Sequence, residues 1–184
     1  MDMENIYGKT KGTALEGAIQ QIMQAEANGT MMYEALAMLA DARGLDDAAE
    51  AFRKAAHEEA VHAGFYALLN GKYPKEFWHL LEAVRKAEVN GEGQVNALAA
   101  KVREAGLEDA AKTMEVFAGQ EGSHGKALAA IFEKYMPKLD EAAGTIIYVC
   151  PVCGYEYVGD ITQEPDDYVC PLCGVPKAKF TKKA

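Results

Sequence analysis

Apolar and small residues recur along the first two thirds of the chain in alternating steps of four and three, the beat of an α-helix that buries one stripe. The first run reads Leu15, Ile19, Ile22, Gly29, Tyr33, Leu36 and Ala40, and Glu26 fills its one missing place. The second reads Phe52, Ala55, Glu59, His62, Tyr66 and Leu69, and stops at Asn70-Gly71. The third, opened through Tyr73-Pro74, reads Leu81, Val84, Glu88, Gly91, Val95, Leu98 and Val102, ending at Gly106. The fourth reads Ala110, Met114, Phe117, Glu121, His124, Leu128, Ile131 and Tyr135, ending near Pro137. Gly44 suits a helix C-terminus, and Asp46 and Asp47 suit the start of the next helix. Four long helices joined by short loops predict an all-α, up-down-up-down four-helix bundle.

Residues 1–12 are polar and read as an arm without a core of its own. From Pro137 to Gly144 the pattern lapses into a linker. Beyond it Ile146, Ile147, Tyr148, Val149, Tyr155, Tyr157 and Val158 are strand formers punctuated by Gly and Pro. The expected organisation is therefore a helical domain over 1–143 and a small β-rich domain over 144–184.

The helical part is written twice. Glu59-Ala60-Val61-His62 returns at an offset of 62 as Glu121-Gly122-Ser123-His124. Glu26 precedes Glu59 by 33 residues, and Glu88 precedes Glu121 by the same distance. Gly44-Leu45-Asp46-Asp47-Ala48-Ala49 likewise returns as Gly106-Leu107-Glu108-Asp109-Ala110-Ala111. A duplicated helical hairpin follows.

The duplication changes what the seam carboxylates mean. Glu is almost never buried without a partner, because desolvating a bare carboxylate costs several kcal/mol. Four Glu stand on four apolar seams here, with two His one turn further on. Residues at i and i+3 share a helix face, so each Glu-x-x-His can clamp one metal ion, and the lone Glu of the neighbouring helix can bridge or complete the sphere. Carboxylate oxygen with imidazole suits iron or manganese. The candidate ligands are Glu26, Glu59, His62, Glu88, Glu121 and His124. Glu92 breaks the repeat, its counterpart being Thr30. It lies about 40° round the helix from Glu88 and reads as a further ligand or a support to one, a solvated position being the alternative. Tyr33 reads as a hydrogen-bond donor to a ligating carboxylate, or as a core aromatic. His57, His79 and Glu58 fall off the seams and read as surface residues.

All four cysteines lie in two knuckles, Cys150-Pro151-Val152-Cys153-Gly154 and Cys170-Pro171-Leu172-Cys173-Gly174. Such spacing predicts a tetrahedral S₄ metal site rather than disulfides, and a reducing compartment. The spacing does not separate iron from zinc, and a zinc ribbon is the plain alternative. A formal charge of −9 argues against nucleic acid and anionic membrane as partners. No apolar run approaches the ~20 residues of a membrane span, and the acidic N-terminus lacks the apolar core of a secretory signal.

With both motif sets in this order, residues 14–180 resemble rubrerythrins, which join a ferritin-like di-iron bundle to a C-terminal rubredoxin-like domain. The resemblance implies that Glu26, Glu59, Glu88, Glu121 and a His hold a non-haem di-iron centre. It further implies that Cys150, Cys153, Cys170 and Cys173 hold one iron, with zinc as a substitute. Family members reduce hydrogen peroxide to water with electrons from an NAD(P)H-dependent reductase or a rubredoxin-type donor. They work in the cytoplasm as homodimers or larger homo-oligomers that bring one subunit's rubredoxin centre near the other's di-iron site.

One departure stands out. The family places a second Glu three residues after the third-helix Glu, where it exchanges with the second-helix His, here His62. This chain has Gly91 there and Glu92 next, so a local helix bulge would be needed to restore the register. The 33-residue Glu pairing also resembles bacterioferritin, which makes a ferroxidase acting on Fe(II) and oxygen the alternative function.

Overall fold

The computed structural model describes residues 5–135 and 146–183. The chain divides into two compact units, Met1–Lys75 and Glu76–Ala184. The expected boundary near residue 144, the linker and the end of the fourth helix near Pro137 lie outside the described residues.

The first unit is an antiparallel hairpin of α1 (Glu16–Asp41) and α2 (Asp46–Leu69). Gly44 closes α1 at a φ of +66°, which an L side chain adopts only with strain. Its N–H donates to Asp41, and that of Leu45 to Ala40, so the last carbonyls of α1 are satisfied before α2 begins. Asp46 and Asp47 occupy the first turn of α2, where carboxylates offset the positive end of the helix dipole. The helices meet through small side chains, with Ala37 and Ala40 on α1 and Ala49, Ala56 and Ala67 on α2 buried. The larger seam residues lie beside this strip; Leu15 is 60% exposed and Leu36 37%. A two-helix hairpin buries one strip per helix, and alanine permits the closest approach.

The N-terminal arm is tied to this hairpin. Gly8 and Thr10 donate backbone hydrogen bonds to Leu68 and Leu69, the terminal carbonyls of α2. The Thr10 hydroxyl lies 2.8 Å from Asn70 Oδ1, and both residues are buried.

The second unit begins with the duplicate hairpin, α3 (Phe77–Glu104) and α4 (Glu108–Tyr135). Gly106, at a φ of +83°, repeats the turn of Gly44. Ala99, Ala111 and Ala118 are buried at the positions equivalent to Ala37, Ala49 and Ala56. The duplication therefore reaches the contact strip itself. α3 is an uninterrupted α-helix from Phe77 to Glu104.

Three short strands complete this unit: β1 (Ile147–Val149), β2 (Glu156–Val158) and β3 (Thr181–Lys182). They form an antiparallel sheet in the order β2-β1-β3, with Tyr148 opposite Tyr157 and Val149 opposite Thr181. Cys150, Cys170 and Tyr155 form its buried core, together with Ala83 from α3. These elements are those of the expected fold class, four ferritin-like helices and a small β-rich rubredoxin-like domain.

Candidate metal centres

Each hairpin assembles one carboxylate–imidazole set. Glu26 from α1 meets Glu59 and His62 from α2, and Glu88 from α3 meets Glu121 and His124 from α4. Within each set one ligand atom per residue lies within 4.8 Å of the others. His62 Nδ1 stands 3.2 Å from Glu59 Oε2 and 3.7 Å from Glu26 Oε2. His124 Nδ1 reaches across its hairpin to Glu88 Oε2 at 3.1 Å.

Glycines make these approaches possible. A Cβ on Gly29 would stand 3.4 Å from Glu59 Cγ, and one on Gly91, its repeat, 3.5 Å from Glu121 Oε2. The seam glycines of α1 and α3 are thus where the neighbouring helix lays its ligand carboxylate.

The electrostatics favour a cation. A hydrogen bond with Glu59, then burial, raises Glu26 above the ordinary carboxylate range. Glu59 is lowered in return, by that bond first and His62 second. Glu121 is likewise raised by its hydrogen bond with Glu88. Carboxylates this close share a proton when no metal ion separates them. Each set offers two carboxylates and one imidazole, donors that suit iron.

The uninterrupted α3 contains no bulge to restore register, and Glu92 stands outside the Glu88–Glu121–His124 set. Its carboxylate instead crosses to α4 and lies over Gly122, which is buried. The spacing of ligands did not reveal this glycine. The signal lies in the repeat, where Thr30 and Ala60 are replaced together by Glu92 and Gly122. Tyr33 stacks on Phe52, ring centroids 6.5 Å apart, and its hydroxyl makes no hydrogen bond to a carboxylate among the described residues. His57, His79 and Glu58 are exposed.

The four thiols converge as the knuckles predict. Cys150 Sγ lies 3.5 Å from Cys173 Sγ, and Cys153 Sγ 3.5 Å from Cys170 Sγ. A disulfide needs about 2.05 Å, whereas four thiolates at about 2.3 Å from one ion lie roughly 3.8 Å apart. Backbone N–H groups of Val152 and Cys153 point at Cys150, and those of Leu172 and Cys173 at Cys170. Burial nevertheless pushes Cys170 up to about 11 and Cys153 still higher. Cys150 is instead lowered despite its burial, by those N–H groups and the neighbouring thiols; holding Cys153 and Cys170 as thiolates at neutral pH calls for a bound cation. Cys150 and Cys170 are buried, while Cys173 is exposed.

The rubrerythrin family model matches residues 18–87, and the model of the rubrerythrin rubredoxin-like domain matches residues 148–181. An uncharacterised protein of Methanocaldococcus jannaschii is 32% identical over 132 residues, covering 72% of this chain and 94% of its own. Reverse rubrerythrin-1 of Clostridium acetobutylicum is 29% identical over 139 residues, covering 72% of this chain and 75% of its own. A solved structure of nigerythrin in a mixed-valent state is 23% identical, covering 96% of this chain and 90% of its own, with a TM-score of 0.31. With two ligand-bearing hairpins followed by a Cys₄ site, and family models matching both parts, the chain belongs to the rubrerythrin family.

Proposed function

We propose that this chain is a non-haem di-iron peroxidase that reduces hydrogen peroxide to water in oxidative-stress protection. Its coarse chemistry follows from its family: an oxidoreductase with a di-iron site held by Glu and His, and a rubredoxin-type iron site held by Cys150, Cys153, Cys170 and Cys173. Reducing one peroxide takes two electrons and two protons and yields two waters. When bound, a ferrous pair supplies both electrons together with Lewis acidity toward oxygen.

The chain's own residues supply the rest. Glu26, Glu59, Glu88 and Glu121 compensate the metal charge, and His62 and His124 are neutral donors. Glu92, held over Gly122, is the added carboxylate that compensates the higher charge of the oxidised site. Tyr33, on the same seam as Glu26, completes the proposed site residues. Electrons arrive singly through the Cys₄ site from a separate NAD(P)H-dependent reductase or rubredoxin-type donor. The working form is a cytoplasmic homo-oligomer, with the domain division at residue 143/144. No helix among the described residues is long and apolar enough to cross a membrane.

The observation that carries this reading is the coexistence of duplicated carboxylate–imidazole sets and a Cys₄ site in one chain. Storing oxidised iron needs no electron inlet. The test is to titrate anaerobically reduced, iron-loaded protein with one equivalent of hydrogen peroxide while following its visible spectrum. Fast return of the Fe(Cys)₄ bands, with oxygen much slower, is expected. Equal reactivity with oxygen would transfer the assignment to a ferroxidase, and a colourless zinc protein would end the redox reading.

A further inference from the structure

The two cysteine knuckles share one backbone turn but not one environment. Gly154 donates its N–H to the Cys150 carbonyl at 3.0 Å, and Gly174 donates to that of Cys170 at 2.8 Å. Both glycines hold a left-handed φ, +77° and +75°, which favours a residue without a Cβ. What differs is what lies over them.

Within residues 76–184 the first knuckle is seated on one strip of α3. Ala83 belongs to the buried core around Cys150, Cys170 and Tyr155. One turn on, Lys86 Nζ pairs with Glu156 Oε1 at 2.7 Å. Next, Asn90 lies against the knuckle itself, where a Cβ on Gly154 would stand 2.8 Å from Asn90 Nδ2. One turn further, Gln94 Nε2 donates to the carbonyl of Val152 at 2.8 Å. At about 100° per residue these four positions fall within roughly 80° of one another, on one face of the helix.

The second knuckle has no such cover among the described residues. A Cβ on Gly174 would meet nothing within 4 Å, and Gly174 is exposed. The thiols follow this difference. Cys153 is partly buried, whereas Cys173, its counterpart, is exposed. Cys150 and Cys170 are buried. The α3 strip thus makes four like thiols unequal and leaves Cys173 as the accessible one. Directly behind it stands Cys150, with the two Sγ atoms 3.5 Å apart. A bond of about 2.05 Å needs them to close by about 1.5 Å. The other close pair, Cys153 and Cys170, has no exposed member.

We infer that Cys173 is a peroxide-modifiable thiol, and that its oxidation closes a Cys150–Cys173 disulfide that releases the ion held by the four thiolates. The Cys173 sulfur attacks one oxygen of hydrogen peroxide. An S–O bond forms, the O–O bond breaks, and the leaving hydroxide takes up a proton as water. Cys150 then attacks the sulfenic sulfur of Cys173. The S–S bond forms, the S–O bond breaks, and a second water leaves with a second proton. Two thiolates lose two electrons in all, and one peroxide gains them. The two thiolates that remain no longer fill a tetrahedral site, so the ion departs and the short strands loosen. This step draws no electrons from the helices and stands apart from the peroxidase reading.

Zinc-loaded full-length protein isolates the step, because zinc has no redox chemistry of its own. Peroxide is added while a chromogenic chelator reads free zinc. The remaining thiols are then alkylated and the chain is cleaved after glutamate, which separates the knuckles at Glu156 and Glu164. Zinc release should accompany the loss of two thiols, with Cys153 and Cys170 alkylated and Cys150 joined to Cys173. Asn90→Ala and Gln94→Ala test the cover without touching a thiol. Each should raise alkylation of Cys153 relative to Cys173 at least threefold in zinc-loaded protein before peroxide is added. A disulfide within one knuckle, Cys150–Cys153 or Cys170–Cys173, would overturn the assigned pair. Zinc retained under excess peroxide would overturn the release. Unchanged Cys153 alkylation in both variants would overturn the part given to α3.

Discussion

The carboxylate of Glu92 lies over Gly122 so closely that a Cβ on Gly122 would stand 2.7 Å from Glu92 Cδ and 3.0 Å from its Oε1. The first hairpin has Thr30 and Ala60 at these places, so the carboxylate and the gap that receives it came as a pair. Gly→Ala inside a helix ordinarily stabilises by about 0.5–1 kcal/mol. In Gly122→Ala that gain is offset by displacing the flexible end of Glu92, so stability should change by less than about 1 kcal/mol. Turnover with peroxide should nevertheless fall as far as in Glu92→Gln. The double variant Glu92→Thr, Gly122→Ala recreates the first-hairpin pair and should melt no lower than wild type while remaining slow. Thermal unfolding and single-turnover kinetics check the two halves separately. Slow Glu92→Gln beside wild-type rates in Gly122→Ala would mean the seat over Gly122 is not needed.

Gly29 and Gly91 should behave differently from Gly122. At 3.4 and 3.5 Å from the nearest glutamate side-chain atom, an added Cβ makes an ordinary van der Waals contact. Gly29→Ala and Gly91→Ala should each stabilise the protein by about 0.5–1 kcal/mol with unchanged iron content. Gly91→Val should displace Glu121 and lower the iron bound by the bundle, leaving the Cys₄ site filled. Metal analysis with thermal melts distinguishes these outcomes, and normal iron content in Gly91→Val would show that Glu121 has room to spare.

Removing the metal from the Cys₄ site should unfold residues 146–183 and leave the helices standing. The largest fully buried side chains in the described residues are Cys150 and Cys170, and strands of three, three and two residues are too short to hold without a core. Binding free energies of about 10–16 kcal/mol for structural zinc indicate how much of this fold's stability such a site can carry. Cys170→Ser should abolish the sheet's amide protection with little change in helical circular dichroism. A protected sheet in that variant would mean the aromatic contacts, Tyr155 on Phe180 among them, suffice.

The residues that the fold gathers into the candidate metal sets were legible in the sequence because such a set imposes spacing: Glu26 to Glu59, Glu59 to His62 and Cys150 to Cys153 are each written twice. The turns at Gly44 and Gly106 were legible for a similar reason, since left-handed backbone selects glycine. The hairpin contact strip was not. Ala37, Ala49 and Ala56 carry too weak a hydropathy signal to compete with Leu15 or Leu36, although the alanines are the ones buried. The arm was also hidden, because what holds Thr10 is the end of α2, some 60 residues away in sequence. Lys86 and Glu156 look like ordinary surface charges until the fold brings them together.

That pair should respond to acid in a predictable direction. Partial burial acts to raise the pKa of Glu156, but the ammonium groups of Lys86 and Lys183 outweigh it and hold the carboxyl below its ordinary range. Lys183 lies 3.0 Å away, and Glu82 competes for Lys86 at 3.6 Å. A carboxylate lowered on folding contributes stability that is fully present above its unfolded value of about 4.5 and is lost as pH falls through its folded value. Because the pair is partly exposed, the contribution should be about 0.2–1 kcal/mol. Glu156→Gln should therefore loosen the Cys₄ domain on α3 at pH 7, read as faster amide exchange over 147–158 in zinc-loaded protein. The gap between variant and wild type should narrow only as pH falls below about 4.5 and on through the lower folded value, where wild-type Glu156 takes up its proton. A gap that keeps the same size right through the protonation of Glu156, followed by its side-chain carboxyl signal, would mean that Glu156 holds the domain by packing rather than by its charge.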